Sequence, residues 1–97
     1  GLYFQLGYLK YQADNYDEAV ASLGRAVSLV PNFSNAKYFL AMSLKALGRR
    51  TEALQQFKDI AQFNPDNQEV RREIGRLQGL LPEEELATTT ATSTNKK

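Results

Sequence analysis

The feature that most constrains this chain is an internal period of about 34 residues. Laid on itself at that shift, Leu6 falls on Leu40 and then on Ile74, and Gly7 falls on Ala41 and then on Gly75. Glu18 meets Glu52, Ala19 meets Ala53, Leu23 meets Phe57, and Pro31 meets Pro65, each proline being followed by Asn32 or Asp66. Asp14 falls on Gly48, where a helix-to-helix turn is expected. A repeat of this length is one supersecondary unit that cannot bury its apolar side alone and must stack on its neighbours.

The pattern inside the period is helical. Leu2, Tyr3, Leu6, Leu9 and Ala13 recur at spacings of three and four, and Asp14-Asn15 reads as a turn. A second helix is predicted from Asp17 to Val30, with Ala19, Val20, Leu23, Ala26 and Val27 on one stripe. A third runs from Ser34 to Leu47 and ends at Gly48. A fourth, capped by Thr51, runs to Phe63, and a fifth from about Asp66 to Leu81, where Pro82 stops it. The residue before a proline is pushed out of helical geometry, so Val30 and Asn64 are predicted boundaries. Small residues at Gly7, Ala41 and Gly75, met by Ala19 and Ala53, are expected to let helices approach closely, with Leu6, Leu40, Leu23 and Phe57 filling the space between them. No strand-type alternation competes.

These residues resemble the tetratricopeptide repeat family. Its order of aromatic, Leu, small residue, Tyr, turn, Ala, large apolar, small residue and Pro is met by Tyr3, Leu6, Gly7, Tyr11, Asp14, Ala19, Leu23, Ala26 and Pro31. In the second copy Leu40, Ala41, Leu44, Gly48, Ala53, Phe57, Ile60 and Pro65 take those places. The departures are Lys10 in the usual tyrosine slot, Lys37 in place of the early aromatic, and Ile60 in place of a small residue. The resemblance implies an all-α fold: antiparallel helix-turn-helix repeats stacked as a short right-handed α-solenoid of about five helices. Residues 1–81 would form the repeat domain, with repeats at about 1–33 and 34–67 and a capping helix at about 66–81; residues 82–97 would be a flexible tail or linker, lacking apolar periodicity. Arg71, Arg72, Glu73, Arg76 and Gln78 would give the capping helix a polar outer face.

The family lines its concave groove with the first helix of each pair, which implies Phe4, Tyr8, Tyr11 and Gln12, then Tyr38, Phe39, Met42 and Lys45, then Glu69, Arg72 and Arg76. The periodicity reaches the same stripe independently, since Phe4, Tyr8 and Tyr11 share one side of a helix, as do Tyr38, Met42 and Lys45. An aromatic stripe of this kind also serves as core in a small domain; tyrosine, apolar in its ring and polar at its tip, favours a partner-binding surface. The chosen contact set is Phe4, Tyr8, Tyr11, Tyr38, Met42, Lys45, Arg72 and Arg76, with the arginines as a basic rim for acidic partner residues. Some family members clamp a peptide carboxylate with Lys, Asn and Arg. The corresponding places here hold Phe4, Tyr8, Phe39, Glu69 and Glu73, so no such clamp is expected. A groove of Phe, Tyr and Met suits an apolar helix or extended segment.

Composition narrows the function classes. There is no cysteine and no histidine among the 97 residues, which removes thiolate chemistry, disulfides and the commonest general base and metal ligand. No phosphate-binding glycine loop and no nucleophile–base pair is recognisable, so neither enzyme activity, nor a cofactor, nor a metal is expected. Twelve basic and eleven acidic residues leave a net charge of +1, interleaved, which gives no pull toward nucleic acid. No apolar run approaches the roughly 20 residues of a membrane span. The reading is therefore a protein–protein interaction module for a peptide or partner helix, part of a larger protein or complex. The alternative is a self-assembly module, a homo-oligomer with no separate ligand. The expected setting is soluble, cytoplasmic or a soluble domain of an envelope-associated protein. The start at Gly1 fits an excised domain, and Leu2-Tyr3-Phe4-Gln5, although similar to part of a protease tag site, fits the repeat and reads as native sequence. A fold-back of Glu83 to Glu85 onto Arg72 and Arg76 is a further expectation.

Overall fold

The computed structural model describes residues 1–80. Five helices follow one another: α1 (Leu2–Gln12), α2 (Tyr16–Leu29), α3 (Ser34–Ala46), α4 (Arg50–Phe63) and α5 (Gln68–Leu80). Each packs on its successor, α1 also touches α3, and no strand occurs among the described residues. This is an all-α helical-repeat solenoid. The expected helix end at Leu81 and Pro82, the tail and its fold-back lie outside the described residues.

The repeat period is visible in the backbone. The turn after α1 passes through Asp14 at φ 64°, and the turn after α3 passes through Gly48 at φ 82°. In both, two amides close back on the helix: Asn15 N–H to Lys10 carbonyl and Asp14 N–H to Tyr11 carbonyl, then Arg49 N–H to Leu44 carbonyl and Gly48 N–H to Lys45 carbonyl. This left-handed C-terminal motif satisfies carbonyls that the helix end leaves unpaired. Glycine takes it without steric cost; aspartate, one of the few side-chain-bearing residues to adopt it readily, takes it at position 14. The links between pairs also match. Val30 and Asn64 terminate α2 and α4 in extended geometry (φ −133° and −132°) as the following prolines demand. Phe33 and Asn67 then each donate their amide to the carbonyl three residues back.

Helix starts depart from expectation in one place. Thr51 lies inside the first turn of α4, too late to cap it; the boundary residue is Arg49, whose guanidinium instead pairs with Glu52 at 2.7 Å. For α5 the cap is Asn67, whose Oδ1 accepts the Val70 amide at 3.1 Å.

The core runs between the two hairpins and under α5: Ala19, Leu23, Leu40, Ala41, Leu44, Ala53, Leu54, Phe57, Ile60, Val70 and Leu77. Gly7 lets α1 approach α2 closely, since a Cβ there would stand 2.5 Å from Leu23 Cγ. Gly75 has no such neighbour and faces open space. The close approach predicted there requires a following helix, and among the described residues none exists. Leu6 also departs from expectation: it is 42% exposed, whereas its repeat mate Leu40 is 7% exposed. The sequence position is equivalent, but α3 is covered by the hairpin before it, whereas among the described residues no element packs on that side of α1. Where Lys37 replaces the family's early aromatic, its ammonium lies 5.9 Å over the Phe63 ring, so a cation–π contact stands where a ring would.

Candidate functional site

Viewed down its axis, α1 has three sides. Tyr3, Gly7 and Lys10 turn toward α2, with the Arg25 guanidinium 5.1 Å over Tyr3 and Lys10 paired to Glu18 at 2.7 Å. Leu2, Leu6 and Leu9 turn outward. Phe4, Tyr8 and Tyr11 turn toward α3, and they meet an array of rings there.

Phe39 is the hub of that array. Its ring centroid lies 4.8 Å from Tyr8, 5.2 Å from Tyr11, 5.2 Å from Tyr38 and 6.3 Å from Phe4. Tyr8 meets Phe39 edge-on, and Tyr38 stands nearly perpendicular to Phe39, an arrangement that opposes ring edges to ring faces. Tyr38 reaches the buried Phe57 at 5.8 Å, which anchors the array to the core. Phe4, Tyr8, Tyr11, Tyr38, Phe39 and Met42 are all half-buried. The sequence-selected residues Phe4, Tyr8, Tyr11 and Tyr38 are thus brought into one connected cluster, with Met42 packed against the core along the same helix. Three members lie outside the contact set chosen from the sequence: Phe39 itself, which belongs only to the implied groove residues, and Phe33, 4.9 Å from Phe4, and Tyr16, 6.0 Å from Tyr11, which are not among the groove residues at all. Phe33 belongs to the link before α3, Tyr16 to the start of α2, and Phe39 is one residue round the helix from Tyr38, so none of the three lies on the stripe of Tyr38, Met42 and Lys45 or of Phe4, Tyr8 and Tyr11 that helical spacing picks out.

One end of the array is charged. Lys45 Nζ donates to Glu73 Oε1 at 2.8 Å, and Arg76 Nη1 donates to Glu73 Oε2 at 3.1 Å. Glu73 was expected on the polar outer face of α5; it is instead 5% exposed, because it faces α3 and both carboxylate oxygens are occupied. Nearby, the Tyr38 hydroxyl donates to Glu69 Oε2 at 3.4 Å. Burial, and then the carboxylate of Glu69, push the Tyr38 hydroxyl above its ordinary ionisation range. Burial, and then Glu73, do the same to Tyr11. Both hydroxyls stay protonated at neutral pH, and that of Tyr38 donates to Glu69. Arg72 stands apart from this group, exposed at the start of α5 beside Gln68 and Arg71, where the three line an open recess.

The arrangement offers ring faces and edges, thioether sulfur, neutral hydroxyl donors and a mixed-charge end. Among the described residues no group of three or more acidic side chains is placed to hold a metal, and no helix is long and apolar enough to cross a membrane.

The fold defines a helical-repeat domain. The sequence profile of the tetratricopeptide repeat matches residues 10–78. The chain belongs to the tetratricopeptide repeat family, whose members generally mediate protein–protein interaction and are typically non-enzymatic scaffolds. It is also similar to the uncharacterized protein ycf37 of Cyanophora paradoxa, at 26% identity over 80 residues that cover 82% of this chain and 46% of the relative. The chain thus spans about half the length of that relative.

Proposed function

We propose that the side of the domain built by α1, α3 and α5 is a groove that binds an apolar peptide segment or a partner helix. The observation that carries this reading is the half-buried aromatic array. Rings sealed in a core would be fully covered, whereas Phe4, Tyr8, Tyr11 and Tyr38 each keep part of their surface in water while being fixed by their neighbours. Fixed, amphipathic rings bind at low entropic cost, because their rotamers are already restricted before the partner arrives.

In this reading Tyr8, Tyr11, Tyr38 and Met42 take the partner's apolar side chains, and the tyrosine hydroxyls donate to its backbone carbonyls. Lys45 and Arg76 share Glu73 between them, so the three together carry one net positive charge. With Arg72, they favour an acidic residue at the edge of an otherwise apolar ligand. The places at which some relatives hold a terminal carboxylate carry Phe4, Tyr8, Phe39, Glu69 and Glu73 in this chain. Recognition along the ligand's length follows, independent of where its chain ends.

A random peptide library displayed on phage and selected on the immobilised domain tests this. Enriched peptides should carry apolar residues at helical or alternating spacing, should bind equally well amidated at the C-terminus, and should fail to bind a Tyr8→Ala/Tyr38→Ala variant that retains its helical circular dichroism. Enriched peptides that bind this variant unchanged would remove the groove from the account.

A further inference from the structure

We propose that Glu73 determines the charge selectivity of the groove, a step that rests on the binding role assigned to that groove. By holding Lys45 and Arg76 around one buried carboxylate, Glu73 fits the groove to a partner segment that brings a single aspartate or glutamate side chain, and against a doubly charged phosphoryl group. Three observations carry this.

First, the register puts an acid where packing would ask for a ring. The repeat mates of Glu73 are Gln5 on α1 and Phe39 on α3, so the position that holds the hub of the array holds a carboxylate one repeat later. Glu73 is also the only buried acidic residue among the described residues. Stability does not account for it, because apolar side chains of similar volume often serve a fold as well as a buried ion pair does.

Second, the cluster is saturated in acceptors and rich in donors. Oε1 of Glu73 accepts from Lys45 Nζ and Oε2 accepts from Arg76 Nη1. An ammonium has three donors and a guanidinium five, and Glu73 takes one from each. The Glu73 side chain is only 7% exposed, whereas Lys45 keeps 31% and Arg76 62%. A partner therefore meets two cations held in place by a covered carboxylate. Charge-assisted bonds to a carboxylate are the strong use of such donors.

Third, the charge balance sets the valence of the ligand. Lys45, Arg76 and Glu73 together carry one net positive charge, and the exposed Glu69 and Arg72, being of opposite sign, leave that balance unchanged. One side-chain carboxylate neutralises it. A phosphoryl group carries about −1.5 to −2 at neutral pH and would leave excess negative charge beside the buried carboxylate, where like charges repel more strongly than in water. Without Glu73 the two cations would match the phosphoryl group instead.

Fluorescence anisotropy with the full 97-residue chain reads the selectivity. The probe is a peptide enriched from the phage library, made with Glu, Gln or phosphoserine at its acidic position. Wild type should prefer Glu over Gln by about tenfold and should bind phosphoserine no more tightly than Glu. Glu73→Gln keeps the side-chain shape, removes the charge, and should shift the ranking toward phosphoserine by about tenfold. Arg76→Gln, at a largely exposed position, should bring the Glu and Gln peptides to within about two-fold of each other. A wild type that prefers phosphoserine, a Glu73→Gln chain with the wild-type ranking, or an Arg76→Gln chain with the full acid preference each overturns the proposal. If Glu73→Gln loses its helical circular dichroism, the Arg76→Gln ranking decides alone. Enriched peptides that lack acidic residues and fail to bind Tyr8→Ala/Tyr38→Ala would overturn the selectivity and leave the groove standing. Peptides that bind that double variant unchanged, or no enriched peptide at all, would remove both.

Discussion

Lys45 and Glu73 meet at 2.8 Å, and the contact ties α3 to α5 across the mouth of the aromatic array. The carboxylate is nearly closed off from water while the lysine keeps about a third of its side chain exposed, so the two ends of the pair are unequal. Removing Lys45 strands a buried charge that Arg76 alone must satisfy. Lys45→Met should lower unfolding stability by about 1–3 kcal/mol. The double variant Lys45→Met/Glu73→Leu should recover much of that, because a buried ion pair exchanged for apolar groups of similar size is often neutral. Urea denaturation of the three chains checks both statements, and a double variant weaker than either single one contradicts them.

Two glycines offer a paired test of helix packing. Gly7→Ala forces its Cβ into Leu23 and should cost about 1–3 kcal/mol through overpacking of the first hairpin. Gly24 lies in the middle of α2, and a methyl group added there would meet nothing within 4 Å. Gly24→Ala should therefore stabilise by about 0.5–1 kcal/mol by reducing unfolded-state freedom. Thermal melts of the two variants should move in opposite directions.

The tyrosines of the array predict a pH dependence. Tyr11 and Tyr38 ionise above their ordinary value of 10.0 in the folded chain, for burial first and neighbouring carboxylates second. A group whose folded pKa is raised contributes stability that is complete below the unfolded value and is lost as pH climbs through the folded value. Stability should thus begin to fall as pH rises past about 10, while the folded chain still holds protons that the unfolded chain has released. An ultraviolet titration of phenolate absorbance checks the sign. In Tyr38→Phe the late-ionising fraction should shrink, and an unchanged curve contradicts the assignment.

The period-34 register carried much of this structure in the sequence. It located the turn at Asp14 from its match to Gly48, and the helix ends at Val30 and Asn64 from the prolines that follow them. Helical spacing within the repeat and the family resemblance selected Phe4, Tyr8, Tyr11 and Tyr38, which the fold joins through their rings. A register states which side of a helix a residue occupies; whether a neighbour covers that side is a separate matter. Leu6 and Gly75 show the difference, both lying at positions whose repeat mates are covered while they themselves face open space at the two ends of the described stack. Glu73 shows a second limit. Its charge reads as surface until the contact with Lys45, 28 residues away, is known. Phe33 shows a third, since a residue in a link has no helical spacing to announce where its ring will lie.

The central claim is that the aromatic side of α1 and α3 is where a partner binds. The most direct measurement is an amide and side-chain chemical-shift titration of the isotope-labelled domain with a peptide enriched from the phage library. The account predicts that shifts concentrate on Tyr8, Tyr11, Tyr38 and Met42, with smaller changes at Lys45, Arg72 and Arg76 and none at Leu2, Leu6 or Leu9. Shifts confined to the outer leucines of α1 or to the exposed faces of α2 and α4, with the tyrosines unmoved, would contradict it.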